Sequence, residues 1–330
     1  MTRRTALLLS LLSALGCNKD KPTGGAGAPK RLKIAVVPKG TTHEFWKSVH
    51  AGSVKAAREL DVDIVWKGPL KEDDLKAQID VVQTFVAQGV DGIVLAPLND
   101  AALRAPVKAA VAAKIPVVVF DSDLLGDAHS SFVATDNVAA GKLAADHLAK
   151  VADKGGVVVL RYQEGSASTA NREKGFVEGL KAHPSMTIVS DNQYGGATTE
   201  SAFSTSETLL VAKKAGEGNV AGVFTPNEST TFGMLLALRK AGLTKKVKLV
   251  GFDASDKLLE ALRAEEIEGL VVQNPFNMGY LAVKTMVEVI RGKKVPARID
   301  TGAKLVTKAS LSDPAVMELV KPDLKKWLDE

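Results

Sequence analysis

Two aspartates in equivalent sequence contexts are the clearest candidates for chemistry in this chain. Asp121 and Asp253 each follow an apolar segment that ends in phenylalanine, within the stretches 118–122 and 250–255. Ligands bind beyond the carboxyl ends of strands in open parallel sheets, so two facing sheets would direct both carboxylates into one cleft. Carboxylates form short, strong hydrogen bonds with hydroxyl groups such as those of a sugar or polyol. Alternatively, each aspartate caps the helix that follows it.

The elements that must position these aspartates alternate along the chain. Short runs rich in valine and isoleucine alternate with segments whose apolar residues recur at helical spacing, which predicts parallel sheets covered by helices on both faces. The pattern restarts after Thr135, and the stretches 91–97 and 220–226 are also alike. We therefore expect an α/β fold with two similar, doubly wound parallel-sheet lobes.

Several short motifs carry a family resemblance through their order and spacing. They are 44–46, 116–121, 135–137 with Gly141, 170–176, 226–228, 251–253 and Gln273. Through these motifs the chain resembles the ribose/galactose-type periplasmic binding proteins over 32–306. That family shares its fold with the ligand-binding core of lactose-repressor-type regulators. The resemblance implies the periplasmic binding protein type I fold, in which a three-segment hinge lets two lobes close on a ligand.

The resemblance also implies a set of ligand-binding residues. The expected set is His43, Phe45, Trp46, Asp121, Ser122, Arg172, Asn227, Asp253 and Gln273. The two aromatic rings would sandwich a sugar ring, while the two carboxylates would accept hydrogen bonds from its hydroxyls. Arg172 would donate to ring or hydroxyl oxygens, and the two amides can both donate and accept.

Alternatives remain for several of these residues. Phe45 and Trp46 could belong to a helix core, and Arg172 could be a surface arginine. His43 could cap a helix or face solvent instead of binding a hydroxyl. Ser122 stands where ribose-type members usually carry arginine. The sequence therefore predicts the kind of site and leaves its sugar or polyol open.

The resemblance divides the chain into lobes with defined boundaries. The expected lobes are a first lobe of 31–134 plus 274–302 and a second lobe of 135–273 plus 303–330. The hinge crossings would then fall near 134–136, 273–275 and 301–303. The tail over 313–327 is predicted to form a short amphipathic helix that docks on the second lobe.

The N-terminal segment has the pattern of an export signal. Arg3 and Arg4 precede an apolar run too short to span a bilayer. The stretch 14–17 resembles a bacterial lipobox, so we expect 1–17 to be a lipoprotein signal peptide with lipidation at Cys17. The polar stretch 18–30 contains glycines and prolines and is expected to be a flexible tether. The alternative is an ordinary signal peptide with an incidental cysteine.

Composition and motifs favour a binding protein over an enzyme. Part of the net charge of +5 comes from basic residues near the N-terminus. Elsewhere basic residues are interleaved with acidic ones, which predicts no nucleic-acid partner. No phosphate-binding loop or nucleophile elbow occurs, and the five histidines lack metal-ligand spacing. Glu72, Asp73 and Asp74 are interpreted as an acidic helix start that suits the helix dipole. We expect no catalytic residue, metal or cofactor, although nothing formally excludes a glycosidase built on the two aspartates.

The predicted function is that of the substrate-binding component of an ABC-type importer. It would bind a monosaccharide or similar small polyol by hinge closure and deliver it to a membrane permease. We expect an exported monomer, in the periplasm or at the cell surface, that contacts the membrane only through its lipid. The alternative is a sensing subunit that presents a sugar or furanosyl signal to a membrane kinase or chemoreceptor.

Overall fold

The computed structural model describes residues 31–328, so the predicted signal peptide, the tether and Cys17 lie outside the described residues. The strands are β1 Lys33–Val37, β2 Asp63–Trp66, β3 Gly92–Leu95, β4 Val117–Phe120, β5 Ser131–Ala134, β6 Gly155–Arg161, β7 Met186–Tyr194, β8 Gly222–Phe224, β9 Lys248–Phe252, β10 Gly269–Gln273, β11 Arg298–Asp300 and β12 Ala303–Val306. The helices are α1 Glu44–Leu60, α2 Leu75–Gln88, α3 Arg104–Ala112, α4 Asn137–Ala152, α5 Ala167–Leu180, α6 Thr199–Ala212, α7 Glu228–Lys240, α8 Asp256–Arg263, α9 Pro275–Ile290 and α10 Pro314–Val320. Two short 3₁₀ helices cover Ala215–Glu217 and Lys308–Ser312.

The strands form two six-stranded sheets of the same winding. The first sheet has the order β2-β1-β3-β4-β5-β11, and the second has the order β7-β6-β8-β9-β10-β12. All neighbours are parallel except β12, which runs antiparallel to β10. The stretches that echo each other in sequence become β3 and β8, and then β4 and β9, at equivalent places in the two sheets. The predicted pair of doubly wound α/β lobes is confirmed.

Apolar helix faces cover both sides of each sheet. Helices α1 and α9 pack with one face of the first sheet, while α2 and α3 pack with the other. In the second sheet, α4 and α5 cover one face, and α6, α7, α8 and α10 cover the other. Strands β3 and β4 are buried along their whole length. This double coverage explains why the strands read as continuous apolar runs.

The chain passes between the two sheets at three places that lie close together. It leaves the first sheet after β5, returns to it after β10 and leaves it again between β11 and β12. Thr301 donates its backbone N–H to Ala134 O at 3.1 Å, and the Thr135 hydroxyl donates to Gly302 O at 3.1 Å. These bonds join the first crossing to the third, and the pairing of Gln273 with Ala303 joins the second crossing to the third. The three segments therefore form one connected junction.

The C-terminal tail differs from the predicted helix over 313–327. The helix covers only Pro314–Val320, since Pro322 disfavours helical backbone at the residue before it. Beyond the helix, Arg58 of α1 donates to the carbonyls of Lys326 at 3.3 Å and Trp327 at 3.2 Å. The tail therefore contacts both the second-sheet core, through its helix, and α1, beside the first sheet.

Glycines bring α4 and α5 into close contact. A Cβ atom on Gly141 of α4 would overlap the backbone carbonyl of Arg172, and one on Gly175 of α5 would overlap that of Val138. The spacing of this helix pair therefore leaves no room for a methyl group. It also fixes the backbone of Arg172, whose side chain reaches the cleft described below.

We predict that Gly141→Ala lowers the free energy of unfolding by about 1–3 kcal/mol, because the added methyl must push the helices apart. Urea denaturation of the purified protein measures this difference. Gly216→Ala is the control, because a Cβ atom there meets nothing within 4 Å. Equal stability of Gly141→Ala and the wild type would contradict the close-packing interpretation.

Candidate functional site

A cavity of about 30 Å³ lies between the carboxyl ends of the two sheets. Its lining residues come from both lobes and are mostly polar. They are Lys39, His43, Phe45, Trp46, Glu72 and Asp121 from the first lobe, and Tyr162, Ser168, Thr169, Arg172, Asn227, Glu228, Asp253 and Gln273 from the second.

The two aspartates occupy matched positions in this cavity. Asp121 directly follows β4 and Asp253 directly follows β9, and both have left-handed backbones with φ of 59° and 65°. Their N–H groups donate to Val133 O at 3.1 Å and Val271 O at 2.9 Å. Left-handed backbone is uncommon outside glycine, but aspartate tolerates it. The repeated conformation turns both carboxylates toward the space between the sheets.

Neither aspartate caps the helix that follows it in sequence. The N-cap of α8 is Ser255. The Asp253 carboxylate instead accepts the N–H of Glu228 at 3.2 Å and the Gln273 side-chain amide at 2.8 Å. Burial raises the pKa of Asp253, although the nearby Arg172 guanidinium opposes that effect. The capping alternative is therefore wrong for this pair.

Arg172 lies between the two carboxylates and is only 2% exposed. Its Nη2 is 4.0 Å from Asp121 Oδ1, and its Nη1 is 4.0 Å from Asp253 Oδ2. Nε donates to Asn137 Oδ1 at 2.8 Å, and the guanidinium lies 4.2 Å from the Phe252 ring centroid. The surface-arginine alternative is wrong, because these contacts hold the guanidinium in one orientation inside the cleft.

His43 and Trp46 share one carboxylate partner, Glu72. Trp46 Nε1 donates to Glu72 Oε1 at 2.7 Å, and His43 Nδ1 lies 2.9 Å from the same oxygen. Tyr162, from the opposite lobe, donates its hydroxyl to Glu72 Oε2 at 2.6 Å. Glu72 is therefore buried in the cleft, and its interpretation as part of an acidic helix start is wrong. Asp74 alone caps α2.

The pKa values of this pair move apart. Burial alone would lower the pKa of His43, but the Glu72 carboxylate raises it to about 9. Burial would raise the pKa of Glu72, yet His43, Lys39 and the Tyr162 hydroxyl lower it to about 2. The pair is therefore charged across the neutral range, and the ring of His43 is not turned out to solvent.

The aromatic pair both lines the cavity and joins the apolar core. The Phe45 and Trp46 rings meet edge to face at a centroid distance of 4.9 Å. Trp46 also meets Phe120 edge to face at 6.1 Å. Both rings are more than nine-tenths buried and pack with α9 beside the first sheet. Both interpretations of Phe45 and Trp46 therefore hold, because the two rings line the cavity and also belong to the apolar core.

Two further predicted residues make local contacts. Asn227 lines the cavity and also caps α7, since its Oδ1 accepts the N–H of Thr230 at 3.3 Å. Ser122 is fully buried and is absent from the cavity lining. Its hydroxyl accepts the backbone N–H of Ser168 at 3.1 Å. Ser122 thus joins the two lobes beside the cavity.

Five charged or hydroxyl-bearing residues of the lining, besides Glu72, were not predicted from the sequence. They are Lys39, Tyr162, Ser168, Thr169 and Glu228. Lys39 is 2% exposed, and its Nζ contacts Asp121 Oδ2 at 3.3 Å and the Ser166 and Ser168 hydroxyls at 3.1 Å. Tyr162 directly follows β6, and Glu228 begins α7. Lys39 and Tyr162 could have been found by the strand-end rule that identified the aspartates.

Three buried polar atoms of the cavity lining lack a hydrogen-bond partner. Of the five such side-chain atoms in the described residues, Arg172 Nη2, Glu228 Oε2 and Gln273 Oε1 belong to this lining. Burial raises the pKa of Glu228 to about 7, with His43 opposing and Asp253 adding to the rise. Unpartnered buried atoms are costly, so the site has both a donor and acceptors ready for a ligand.

Other kinds of site find no support in residues 31–328. That part of the chain has no group of three or more side chains placed to hold a metal ion. None of its helices combines the length and apolar character that crossing a bilayer requires. The inter-lobe cavity is the candidate site because polar side chains from both lobes line it.

Comparison with known proteins agrees with the fold and the cleft. Residues 34–294 match the family described as "Periplasmic binding protein domain". The chain is 29% identical over 306 residues to the ribose import binding protein RbsB of Escherichia coli (strain K12), covering 91% of this chain and 98% of that protein. The fold and cleft are those of a two-lobed solute receptor. The chain belongs to the periplasmic binding protein family.

Two solved structures are similar over nearly their whole length. A carbohydrate transporter solute-binding protein from Agrobacterium radiobacter, in complex with D-arabinose, is 34% identical with a TM-score of 0.84, covering 89% of this chain and 100% of that one. The periplasmic component of an ABC-type sugar transport system from Hahella chejuensis is 40% identical with a TM-score of 0.79, covering 83% and 99%.

The His43–Glu72 pair predicts a defined pH dependence of stability. The pKa of His43 is raised from 6.5 to about 9, so its contribution is complete below pH 6.5 and is lost as pH rises toward 9. The pKa of Glu72 is lowered to about 2, so its contribution is present above pH 4.5 and is lost as pH falls toward 2. We predict that the stability difference between the wild type and His43→Gln shrinks between pH 6.5 and 9.

Urea denaturation at intervals across this range measures the difference. His183→Gln is the matched control, because its contact with Asp146 at 2.8 Å is exposed and solvent-screened. A stability difference for His43→Gln that stays constant from pH 6.5 to 9 would count against the buried ion pair.

Proposed function

We propose that this protein is the sugar-binding component of an ABC-type importer. The observation that carries the proposal is the cavity whose unpartnered Arg172, Glu228 and Gln273 atoms stand beside two matched carboxylates. A sugar hydroxyl donates one hydrogen bond and accepts others, so a single ring can satisfy donors and acceptors together. The relative from Escherichia coli is named a ribose import binding protein, and the Agrobacterium radiobacter protein holds D-arabinose.

The proposed ligand contacts follow from the positions of the side chains. Asp121 and Asp253 accept hydroxyl hydrogens from opposite lobes, and Arg172 Nη2 donates to an oxygen between them. Gln273 and Asn227 supply amide groups, while Phe45, Trp46 and His43 bound the cavity on the first-lobe side. Ser122 acts beside the cavity through its bond to Ser168. The ligand is a neutral monosaccharide or small polyol.

We further propose that the two lobes move as units about the three crossings. The first unit comprises 31–134 with 274–302, and the second comprises 135–273 with 303–330. Residues from both units line the cavity, so a ligand stabilises the closed form through contacts that exist only when the units meet. The closed protein would then be recognised, as a monomer, by the membrane permease.

Thermal-shift measurements with D-ribose, D-arabinose, D-allose and D-fucose test the function. A ligand that binds only the native state raises the melting temperature, and at 100 times its Kd it adds about 2.7 kcal/mol of stability. We expect at least one of these sugars to produce a saturable shift. No shift with any of the four sugars would contradict the proposal.

Asp121→Asn is predicted to weaken sugar binding roughly 10- to 150-fold, which corresponds to losing a charge-assisted hydrogen bond. Isothermal titration with the best sugar measures the change, and the melting temperature without sugar reports whether the fold survives. Asp127→Asn is the matched control, because Asp127 is exposed and lies outside the cavity. Unchanged affinity in a folded Asp121→Asn variant would refute the assigned role.

We propose that the protein is exported and anchored through a lipid on Cys17. The family resemblance to periplasmic proteins and the lipobox-like stretch 14–17 support this. Cys17→Ser should move the protein from the membrane fraction to the soluble exported fraction, as immunoblotting of fractionated cells would detect. Ser10→Ala, which keeps the cysteine, should leave the distribution unchanged. Retention of the Cys17→Ser variant in membranes would contradict lipid anchoring.

A further inference from the structure

One hydrogen bond crosses the cleft between the lobes without involving the cavity's unpartnered atoms. Tyr162 follows β6 of the second sheet, and its hydroxyl donates to Glu72 Oε2 at 2.6 Å. Glu72 lies between β2 and α2 of the first lobe. Gln163 adds a second bond across the same gap, since its side-chain amide donates to Glu72 O at 3.1 Å. Tyr162 is fully buried and Glu72 is 8% exposed.

Contacts within the first lobe orient the Glu72 carboxylate. Its Oε1 is occupied by Trp46 Nε1 and His43 Nδ1, both from the first lobe. That arrangement leaves Oε2 as the oxygen available to the second lobe. Because Glu72 fixes one ring nitrogen of His43 and the indole of Trp46, it also orients two residues that line the cavity.

We propose that Glu72 and Tyr162 form a latch that holds the cleft closed on its ligand, with Glu72 as the positioning residue for His43 and Trp46. This rests on the proposed function, because the latch deepens how the same site retains a sugar. When the lobes separate, water solvates both groups, so the bond favours only the closed form. The sugar's residence time is then set in part by a contact that the sugar itself does not make.

The latch has the chemistry of a strong closed-state bond. A hydroxyl donating to a carboxylate forms a short, charge-assisted hydrogen bond. Burial, reinforced by the Glu72 charge, raises the pKa of Tyr162 well above 10, so its hydroxyl keeps the proton that it donates. Removing that hydroxyl would leave a carboxylate oxygen unpaired in the closed cleft, which destabilises the closed form alone.

Stopped-flow measurements of sugar association and dissociation in Tyr162→Phe test the latch. The sugar used is the one of the four that gives the wild type its largest thermal shift. Intrinsic fluorescence reports binding, because Trp46 lines the cavity. We expect the dissociation rate constant to rise roughly 10-fold or more, with the association rate constant within about 2-fold of wild type. Glu72→Gln should also raise the dissociation rate constant. In the double variant, the increase should be smaller than the product of the increases in the two single variants, because both changes remove the same bond.

Tyr280→Phe is the matched control. The Tyr280 hydroxyl donates to Glu59 Oε2 at 2.8 Å, but both residues lie in helices, α9 and α1, that cover the first sheet. Its loss removes a similar bond that does not cross the cleft, so sugar kinetics should stay at wild-type values. A Tyr162→Phe dissociation rate equal to that of wild type and Tyr280→Phe would overturn the latch.

Small-angle X-ray scattering without sugar separates the latch from the proposed function. We expect Tyr162→Phe to show a larger radius of gyration than wild type and Tyr280→Phe, because more of its molecules are open. If the wild type bound no sugar, the proposed function would be wrong. The radii of gyration without sugar would still show whether the Tyr162–Glu72 bond favours the closed form. Identical radii of gyration in the three unliganded proteins would then overturn it.

Discussion

The structure depends on pairing several charges inside one water-poor cleft. Arg172, at 2% exposure, stands 4.0 Å from a carboxylate oxygen of each lobe, and Lys39 and His43 each face an acidic partner. Buried charges are tolerated only when they are paired and hydrogen-bonded. Because the partners come from both sheets, the requirement for pairing specifies how the lobes face each other when closed. Among the described residues, Arg172 Nη2 still lacks a hydrogen-bond partner.

Fold and site are linked through local backbone features. The left-handed conformation of Asp121 and Asp253 turns each side chain away from its strand and into the cleft. The close approach of α4 and α5, which Gly141 and Gly175 permit, sets the position from which the guanidinium reaches between them. The contacts of Thr135 and Thr301 join the first and third crossings, and the pairing of Gln273 with Ala303 joins the second to the third. The packing that stabilises each lobe therefore also places the binding groups.

The sequence predicted much of this arrangement because its strongest signals are local and repeated. Apolar runs gave the two sheets, and the recurring Phe-Asp strand ends identified the matched aspartates. The position of Glu72 in the cavity was not predicted, because an acidic run before a helix is typical of an exposed helix N-terminus. Only tertiary contacts, such as the one with Tyr162, show its burial. The positions of Ser122 and of the tail after Val320 differ from the sequence-based expectations for the same reason. Their partners, Ser168 and Arg58, are distant in sequence.

The most direct test of the central claim is a crystal structure of the protein grown with its best sugar from the panel. We predict one sugar ring between the lobes, with hydroxyls within hydrogen-bond distance of both Asp121 and Asp253 and an oxygen facing Arg172 Nη2. A sugar that contacts only one lobe, or that lies outside the space between these carboxylates, would contradict it.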